Sequence, residues 1–146
     1  TSKEEIFQAV VEKEALILRK ELVHGIHNAS SPQQKLKAHV LIRMRSMEKL
    51  ANYYSAIKDD YLSHLGFIEN IRKKYDQEEI QMMENILNEG VRDNIFKIED
   101  TSLAAIAIVT ALKGLEIPLF MNVEEKDVER RLDHLIQILF NGVLKR

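Results

Sequence analysis

The sequence has no cysteine and, among its 146 residues, only five glycines and two prolines. Without cysteine the chain forms no disulfide, no thiolate zinc site and no cysteine nucleophile, which fits a reducing compartment. All-β folds need frequent turns, so the scarcity of glycine and proline argues against them. The composition therefore favours a few long helices joined by short loops.

A strong charge of one sign and a long apolar run are also missing. The formal net charge is -2 and the isoelectric point is about 6.2, whereas a domain that binds nucleic acid by itself usually carries a basic face. No apolar run approaches the ~20 residues that a membrane span needs, and no signal peptide opens the chain. We expect one cytoplasmic domain over residues 1–146, with no membrane partner. Because position 1 is threonine, we also expect a piece of a longer protein.

Caps and hydrophobic periodicity predict an all-α fold, a bundle of about six helices. The capping-box pair Ser2 and Glu5 predicts the start of a first helix that ends near Asn28. This helix is expected to bury one side. The centre of that side is the line Ile6, Val10 and Ile17, with Phe7, Val11, Leu18 and Leu22 on its flanks.

A second helix is expected to begin at Ser31 and Pro32, because serine caps a helix and proline suits its first position. Arg43 falls on its apolar face, where an unpaired cation is costly. Three interpretations of Arg43 stay open: snorkelling to the surface, contact with an anionic head group of a bound molecule, or an ion pair within the fold. The apolar face consists of Leu36, Val40, Met44, Met47 and Leu50, and the candidate ion-pair partners are Asp59, Asp60 and Glu69.

The segment from 53 to 65 predicts a short helix with a bend, and a long helix follows from about Phe67 to Gly90. Asp76 and Glu79 imitate a second capping box and allow a kink in the long helix. One side of this helix carries Ile71, Tyr75, Met82 and Ile86. The carboxylate pairs Asp59–Asp60 and Glu78–Glu79 are interpreted as solvated helix charge.

Two more helices are expected beyond a loop at residues 91–100. Asn94 can form a left-handed turn without glycine, and Asp100 can cap a helix from about Thr101 to Met121. A last helix is expected from about 123 to 142.

The helix from Thr101 is apolar nearly all round, so it must be covered on more than one side. The domain can cover one side itself, and a second copy of the chain is expected to cover the other, where a stripe of small residues permits close approach. The last two helices of each chain would then form a four-helix, two-fold interface in a homodimer. The alternative is that this helix is the central core helix of a monomer. The interface candidates are Leu103, Ala104, Ala107, Thr110, Ala111, Gly114, Pro118, Arg131, Leu135, Ile138 and Gly142.

The middle helices carry methionine and aromatic residues that suit a pocket for a small molecule. Methionine adapts to irregular apolar ligands, and tyrosine hydroxyls can orient a ligand. Each residue alone is better explained as core filling, but as a set they predict a pocket lining. The pocket candidates are Arg43, Met44, Met47, Tyr54, Tyr61, Phe67, Ile71, Met82, Met83 and Ile86.

No catalytic or cofactor constellation is found in the sequence. Ser30 and Ser31 lie in a capping loop rather than a nucleophile elbow, and the scattered glycines form no phosphate-binding loop. His24 and His27 lie one turn apart, but the Glu-x-x-His pattern that ends at His24 has no second copy, as a bundle metal site would need. We therefore expect no metal, no cofactor and no enzymatic activity.

Four segments of the chain resemble TetR-family transcriptional repressors. Residues 2–7 (SKEEIF) resemble the segment that follows the family's helix-turn-helix, and residues 87–105 resemble the junction into its penultimate helix. Residues 111–115 (ALKGL) resemble a Gly-Leu segment of that helix, and residues 132–143 resemble the last helix. Asn94 stands where the family often has glycine.

The resemblance implies the effector-binding and dimerisation domain of a bacterial homodimeric repressor. A three-helix DNA-binding module would precede Thr1, and the helix over residues 3–28 would connect it to this domain. DNA would be contacted only through that module, and the effector would be small and hydrophobic or amphipathic. Two other classes stay open: a helical adaptor for protein partners without a pocket, and a helical-bundle enzyme or metal carrier.

Overall fold

The computed structural model describes residues 2–53, 63–114 and 125–142, without the side chains of residues 47–53, 65, 125–129 and 132. All secondary structure in these ranges is helical, which confirms the all-α prediction. The helices are α1 (Lys3–Asn28), α2 (Pro32–Tyr53), α3 (Leu65–Arg92), α4 (Thr101–Gly114) and α5 (Glu125–Asn141). The short helix expected between 53 and 65 lies mostly outside the described residues, so the count of about six stays a prediction.

The predicted caps are confirmed and explain where three helices begin. Ser2, Ser31 and Asp100 each accept a hydrogen bond from the backbone N–H three residues later, at 3.1, 3.2 and 3.0 Å. Such bonds satisfy backbone donors that have no partner inside the helix. Asn94 has a φ of 59°, which confirms the left-handed turn that redirects the chain from α3 towards α4.

The predicted buried side of α1 is wrong by one residue. Phe7, Val11 and Leu22 are buried, whereas Ile6 and Ile17, on the expected central line, are 53% and 42% exposed. Neighbouring residues differ by 100° around a helix. Because both lines of α1 are apolar, periodicity alone could not decide which of them faces the bundle.

The core lies between α2, α3 and α4. It buries Leu36, Val40 and Met44 from α2, Met83, Ile86 and Leu87 from α3, and Ala105, Val109 and Leu112 from α4. The buried members of α2 are those expected from its periodicity. Helix α5 adds partly buried side chains against this core, namely Leu135, Ile136, Leu139 and Phe140.

Two lysines, one from α2 and one from α4, form ion pairs with carboxylates of α3. Lys35 of α2 contacts Glu89 at 2.8 Å. Lys113 of α4 contacts Glu69 at 2.7 Å and Asp76 at 2.6 Å. Burial alone would lower the pKa of Lys113, but the hydrogen bonds to these two carboxylates outweigh it and raise the pKa. Helix α3 runs without interruption through the position where the sequence allowed a kink.

Gly90 near the end of α3 is required by the aromatic ring of Phe96. A Cβ at Gly90 would overlap that ring, and the carbonyl of Gly90 accepts hydrogen bonds from the backbone N–H groups of Ile95 and Phe96.

We expect Gly90→Ala to lower the free energy of unfolding by about 1–3 kcal/mol, measured by urea denaturation, because the ring must move out of a packed position. The control is Gly66→Ala at the other end of α3, where a Cβ meets nothing within 4 Å. That change should be neutral or stabilising by up to about 1 kcal/mol, and equal losses at both positions would contradict the explanation.

Candidate functional site

A cluster of charged and polar side chains is buried between α2 and α3. It consists of His39 and Arg43, one turn apart on α2, and Glu79 of α3, which are 0%, 3% and 5% exposed. Among the residues whose side chains are described, these are the buried polar or charged ones. We call them the buried polar cluster. Buried polar groups in an apolar core are costly unless they are paired. A cluster of them therefore indicates a candidate functional site.

Glu79 holds the cluster together through one carboxylate oxygen. Its Oε1 lies 3.2 Å from Nε of Arg43 and 3.7 Å from Nε2 of His39. The interpretation of Glu79 as solvated charge is therefore wrong. An internal ion pair for Arg43 is confirmed, with Glu79 as a partner that was not among the candidates, and snorkelling is excluded by the burial of Arg43. Glu69, one of the expected partners, instead contacts Lys113, and Asp59 and Asp60 lie outside the described residues.

His39 differs from the other two members because its ring is neutral. Burial first, and the nearby Arg43 guanidinium second, lower the pKa of His39 from 6.5 to about 4. Neither ring nitrogen has a hydrogen-bond partner in the described part of the chain. The cluster thus holds one cation and one anion that face each other, beside an imidazole with a donor and an acceptor to offer.

The lowered pKa of His39 predicts a specific loss of stability in acid. In the unfolded chain the imidazole takes up a proton near pH 6.5, whereas in the folded chain it stays neutral until about pH 4. The contribution of this residue to the free energy of unfolding is therefore complete above pH 6.5 and decreases as the pH drops. At pH 5 it is smaller by about 2 kcal/mol. Urea denaturation of wild type and His39→Leu at pH 7 and pH 5 measures the difference. The exposed His27→Leu should keep the wild-type pH dependence, and an unchanged dependence in His39→Leu would contradict the prediction.

The pocket candidates fall into three groups in the structure. Met44, Met83 and Ile86 are buried in the core between α2, α3 and α4, and Arg43 belongs to the buried polar cluster. The partly buried candidates on α3 are Phe67, Ile71 and Met82. The side chain of Met47 and the residues Tyr54 and Tyr61 lie outside the described part of the chain. Whether these residues line a pocket stays a prediction.

Sequence reasoning missed His39 and Glu79, although both follow the pattern that identified Arg43. His39 lies three residues after Leu36 and four before Arg43, on the apolar face of α2. Glu79 lies four residues before Met83 and seven before Ile86, on the buried side of α3. A charged residue at helical spacing from buried apolar residues is the signal that was available for both.

The interface candidates lie mainly on the outer side of α4 and α5. Leu103 is 64% exposed and Ile138 is 49% exposed, and Ile106, three residues after Leu103 on α4, is 44% exposed. These are large apolar side chains that the single chain leaves in water. The other exposed candidates are Ala107, Thr110, Ala111, Gly114, Arg131 and Gly142, the partly buried ones are Ala104 and Leu135, and Pro118 lies outside the described residues.

The described residues offer no alternative centre for metal chemistry. No group of three or more histidine, aspartate or glutamate side chains is arranged there to hold a metal ion. His24 instead shares a 3.0 Å hydrogen bond with Asn28. None of the helices in the described ranges is long and apolar enough to cross a membrane.

Comparison with known proteins places most of the chain in one family. Residues 34–145 match the model of a TetR C-terminal family described as QacR-like protein, C-terminal region. The matched range begins in α2 and includes the buried polar cluster, α4 and α5. No curated protein and no solved structure is significantly similar to this sequence.

Proposed function

The chain belongs to the QacR-like C-terminal family of TetR regulators, and from this membership we propose that it is the ligand-responsive domain of a transcriptional repressor. The family match over residues 34–145 is the observation that carries the proposal. Regulatory domains of this family are generally not enzymes, and we propose the same for this chain. DNA would be bound through a separate module joined to α1, within the bacterial cytoplasm.

We propose that the effector is small and largely apolar and binds between α2 and α3. Support comes from the apolar residues that α2 and α3 contribute to the same core, among them the methionines Met44 and Met83. Methionine side chains adjust to irregular apolar shapes. A ligand that binds one arrangement of the bundle more tightly than another would increase the population of that arrangement and change the orientation of α1. This change in α1 would transmit ligand binding to the DNA-binding module.

A ligand screen on the purified chain tests this function. We expect medium-chain fatty acids, acyl thioesters or hydrophobic drugs to raise the melting temperature and to appear as bound mass in native mass spectrometry. A ligand at 100 times its dissociation constant stabilises the folded state by about 2.7 kcal/mol. Short polar analogues such as acetate are the control and should have no effect. If no apolar compound stabilises the chain or binds to it, the adaptor interpretation replaces this one.

We also propose that the chain is a homodimer through α4 and α5. The support is the exposed apolar surface of Leu103, Ile106 and Ile138, together with the small residues Ala107 and Ala111, which are also exposed on α4. Small side chains let two helices approach closely, and a two-fold axis would place the same stripe on both sides. A shared interface would make the spacing of the two DNA-binding modules depend on both effector sites.

A further inference from the structure

We infer that His39 is the polar contact of the effector site and that it selects uncharged effectors, namely apolar molecules with one hydroxyl or amide group. The inference rests on the proposed function, because it specifies the chemistry of the same ligand site. It differs from one of the three sequence-based interpretations of Arg43, in which that residue contacts an anionic head group.

The two ring nitrogens of His39 have unused hydrogen-bonding capacity. The residue is 0% exposed, and neither nitrogen has a hydrogen-bond partner among the described residues. A neutral imidazole has one N–H donor and one acceptor nitrogen. Leaving both unused in a buried place costs free energy, and a bound group that forms a hydrogen bond with one of them would recover part of it. A hydroxyl or a primary amide can do this in either role, as donor to the acceptor nitrogen or as acceptor from the N–H group.

A buried ion pair lies beside His39. Arg43 and Glu79 already face each other at 3.2 Å inside the core. An anionic head group at His39 would lie beside the Glu79 carboxylate, and a cationic head group there would lie close to the Arg43 guanidinium. Either one would have to lose its water next to a buried like charge, which is strongly unfavourable. An uncharged polar group leaves this ion pair intact.

Buried apolar residues flank His39 along α2. On α2 it lies between the buried residues Leu36 and Val40, and Met44 is next on the same face. Glu79, which lies 3.7 Å away on α3, is four residues before buried Met83. A ligand whose polar group reaches the imidazole would therefore place its remaining atoms among aliphatic and methionine side chains. That setting favours a long apolar body behind a single polar group.

A series of ligands with the same ten-carbon body and different head groups tests the inference. The probes are decanol, decanamide, decanoate and decyltrimethylammonium, with dissociation constants measured by isothermal titration calorimetry on the whole chain. We expect the two neutral probes to bind roughly tenfold or more tightly than the two charged ones, as the free energy of one hydrogen bond to a buried group allows. Tighter binding of either charged probe overturns the inference, and the proposed function survives.

Three variants identify the residue responsible. His39→Phe keeps a flat ring but removes both nitrogens, and it should weaken decanol and decanamide binding roughly tenfold while leaving the charged probes unchanged. His39→Gln retains a donor and an acceptor and should bind the neutral probes better than His39→Phe. His27→Phe, on exposed α1 surface, should bind like wild type. Equal affinities in wild type and His39→Phe overturn the inference.

A measurement on the wild type covers the case in which the variants do not fold. The nitrogen-15 signals of the His39 ring should shift when decanol or decanamide is added and should not shift with decane-1-sulfonate. Unchanged ring signals at saturating decanol would mean that water alone serves the imidazole, and they overturn the inference. If the neutral and charged probes and the wider panel of apolar compounds all fail to bind, the proposed function itself fails.

Discussion

Replacing Glu79 by leucine is expected to lower the free energy of unfolding by about 3–5 kcal/mol, because it removes the carboxylate from a buried guanidinium. Arg43 is 3% exposed and lies 3.2 Å from that carboxylate, so water cannot replace the lost partner without opening the contact between α2 and α3. Total stabilities of small domains are about 5–15 kcal/mol. The substitution therefore removes a large share of the stability, and urea denaturation measures it directly.

The neighbouring residue provides a matched control for this prediction. Glu78 contacts Arg19 of α1 at 3.3 Å, but the two side chains are 35% and 54% exposed. Ion pairs in water contribute about 0–1 kcal/mol, so Glu78→Leu should change stability little. Similar losses for Glu78→Leu and Glu79→Leu would contradict the assignment of Glu79 to the core.

A double variant separates the loss of a partner from the loss of the pair. In Arg43→Met with Glu79→Leu, both charges of this ion pair are replaced by apolar side chains. We expect the double variant to recover most of the stability that Glu79→Leu loses, because apolar replacements of buried ion pairs are often neutral or stabilising. If the double variant is as unstable as the single one, the loss comes from packing at position 79 and not from the charge of Arg43.

The sequence predicts the helix boundaries well because they depend on local chemistry. A serine or aspartate oxygen needs only the backbone N–H three residues later, as at Ser2 and Asp100, and Asn94 forms its left-handed turn alone. The same holds for the apolar face of α2, where polar residues clearly mark the opposite side. These features require no knowledge of what the helix packs against.

What the sequence could not predict depends on contacts between helices. Glu79 reads as surface charge until Arg43, 36 positions earlier in the numbering, is placed opposite it. The face of α1 is undecided for the same reason: Ile6 and Phe7 are both apolar, and only the position of the bundle shows that Phe7 is the buried one. The buried polar cluster therefore depends on how α2 packs against α3, although the spacing of its residues along each helix already indicated that they are buried.

Replacing Ala107 by glutamate is expected to convert the proposed dimer to a monomer. The residue is exposed in the single chain, on the outer side of α4 between Leu103 and Ala111. In a two-fold interface the substitution places two carboxylates at the point of closest helix approach, where each loses water without gaining a partner. We expect the dissociation constant of the dimer to rise by roughly two orders of magnitude or more, measured by sedimentation equilibrium and native mass spectrometry.

The control for Ala107→Glu is Ile6→Glu, which also adds a carboxylate to an exposed apolar position but lies on α1. It should leave the dimer intact, so a monomer in both variants would mean that charge in general, and not the α4 surface, governs association. Because Ala107 is exposed in the single chain, the Ala107→Glu monomer should keep its helical content by circular dichroism. A wild-type chain that is monomeric at micromolar concentration would refute the interface outright. The side chain of Leu103, which is 64% exposed, would then need a different partner. Its exposed surface would support the interpretation of the chain as an adaptor for protein partners.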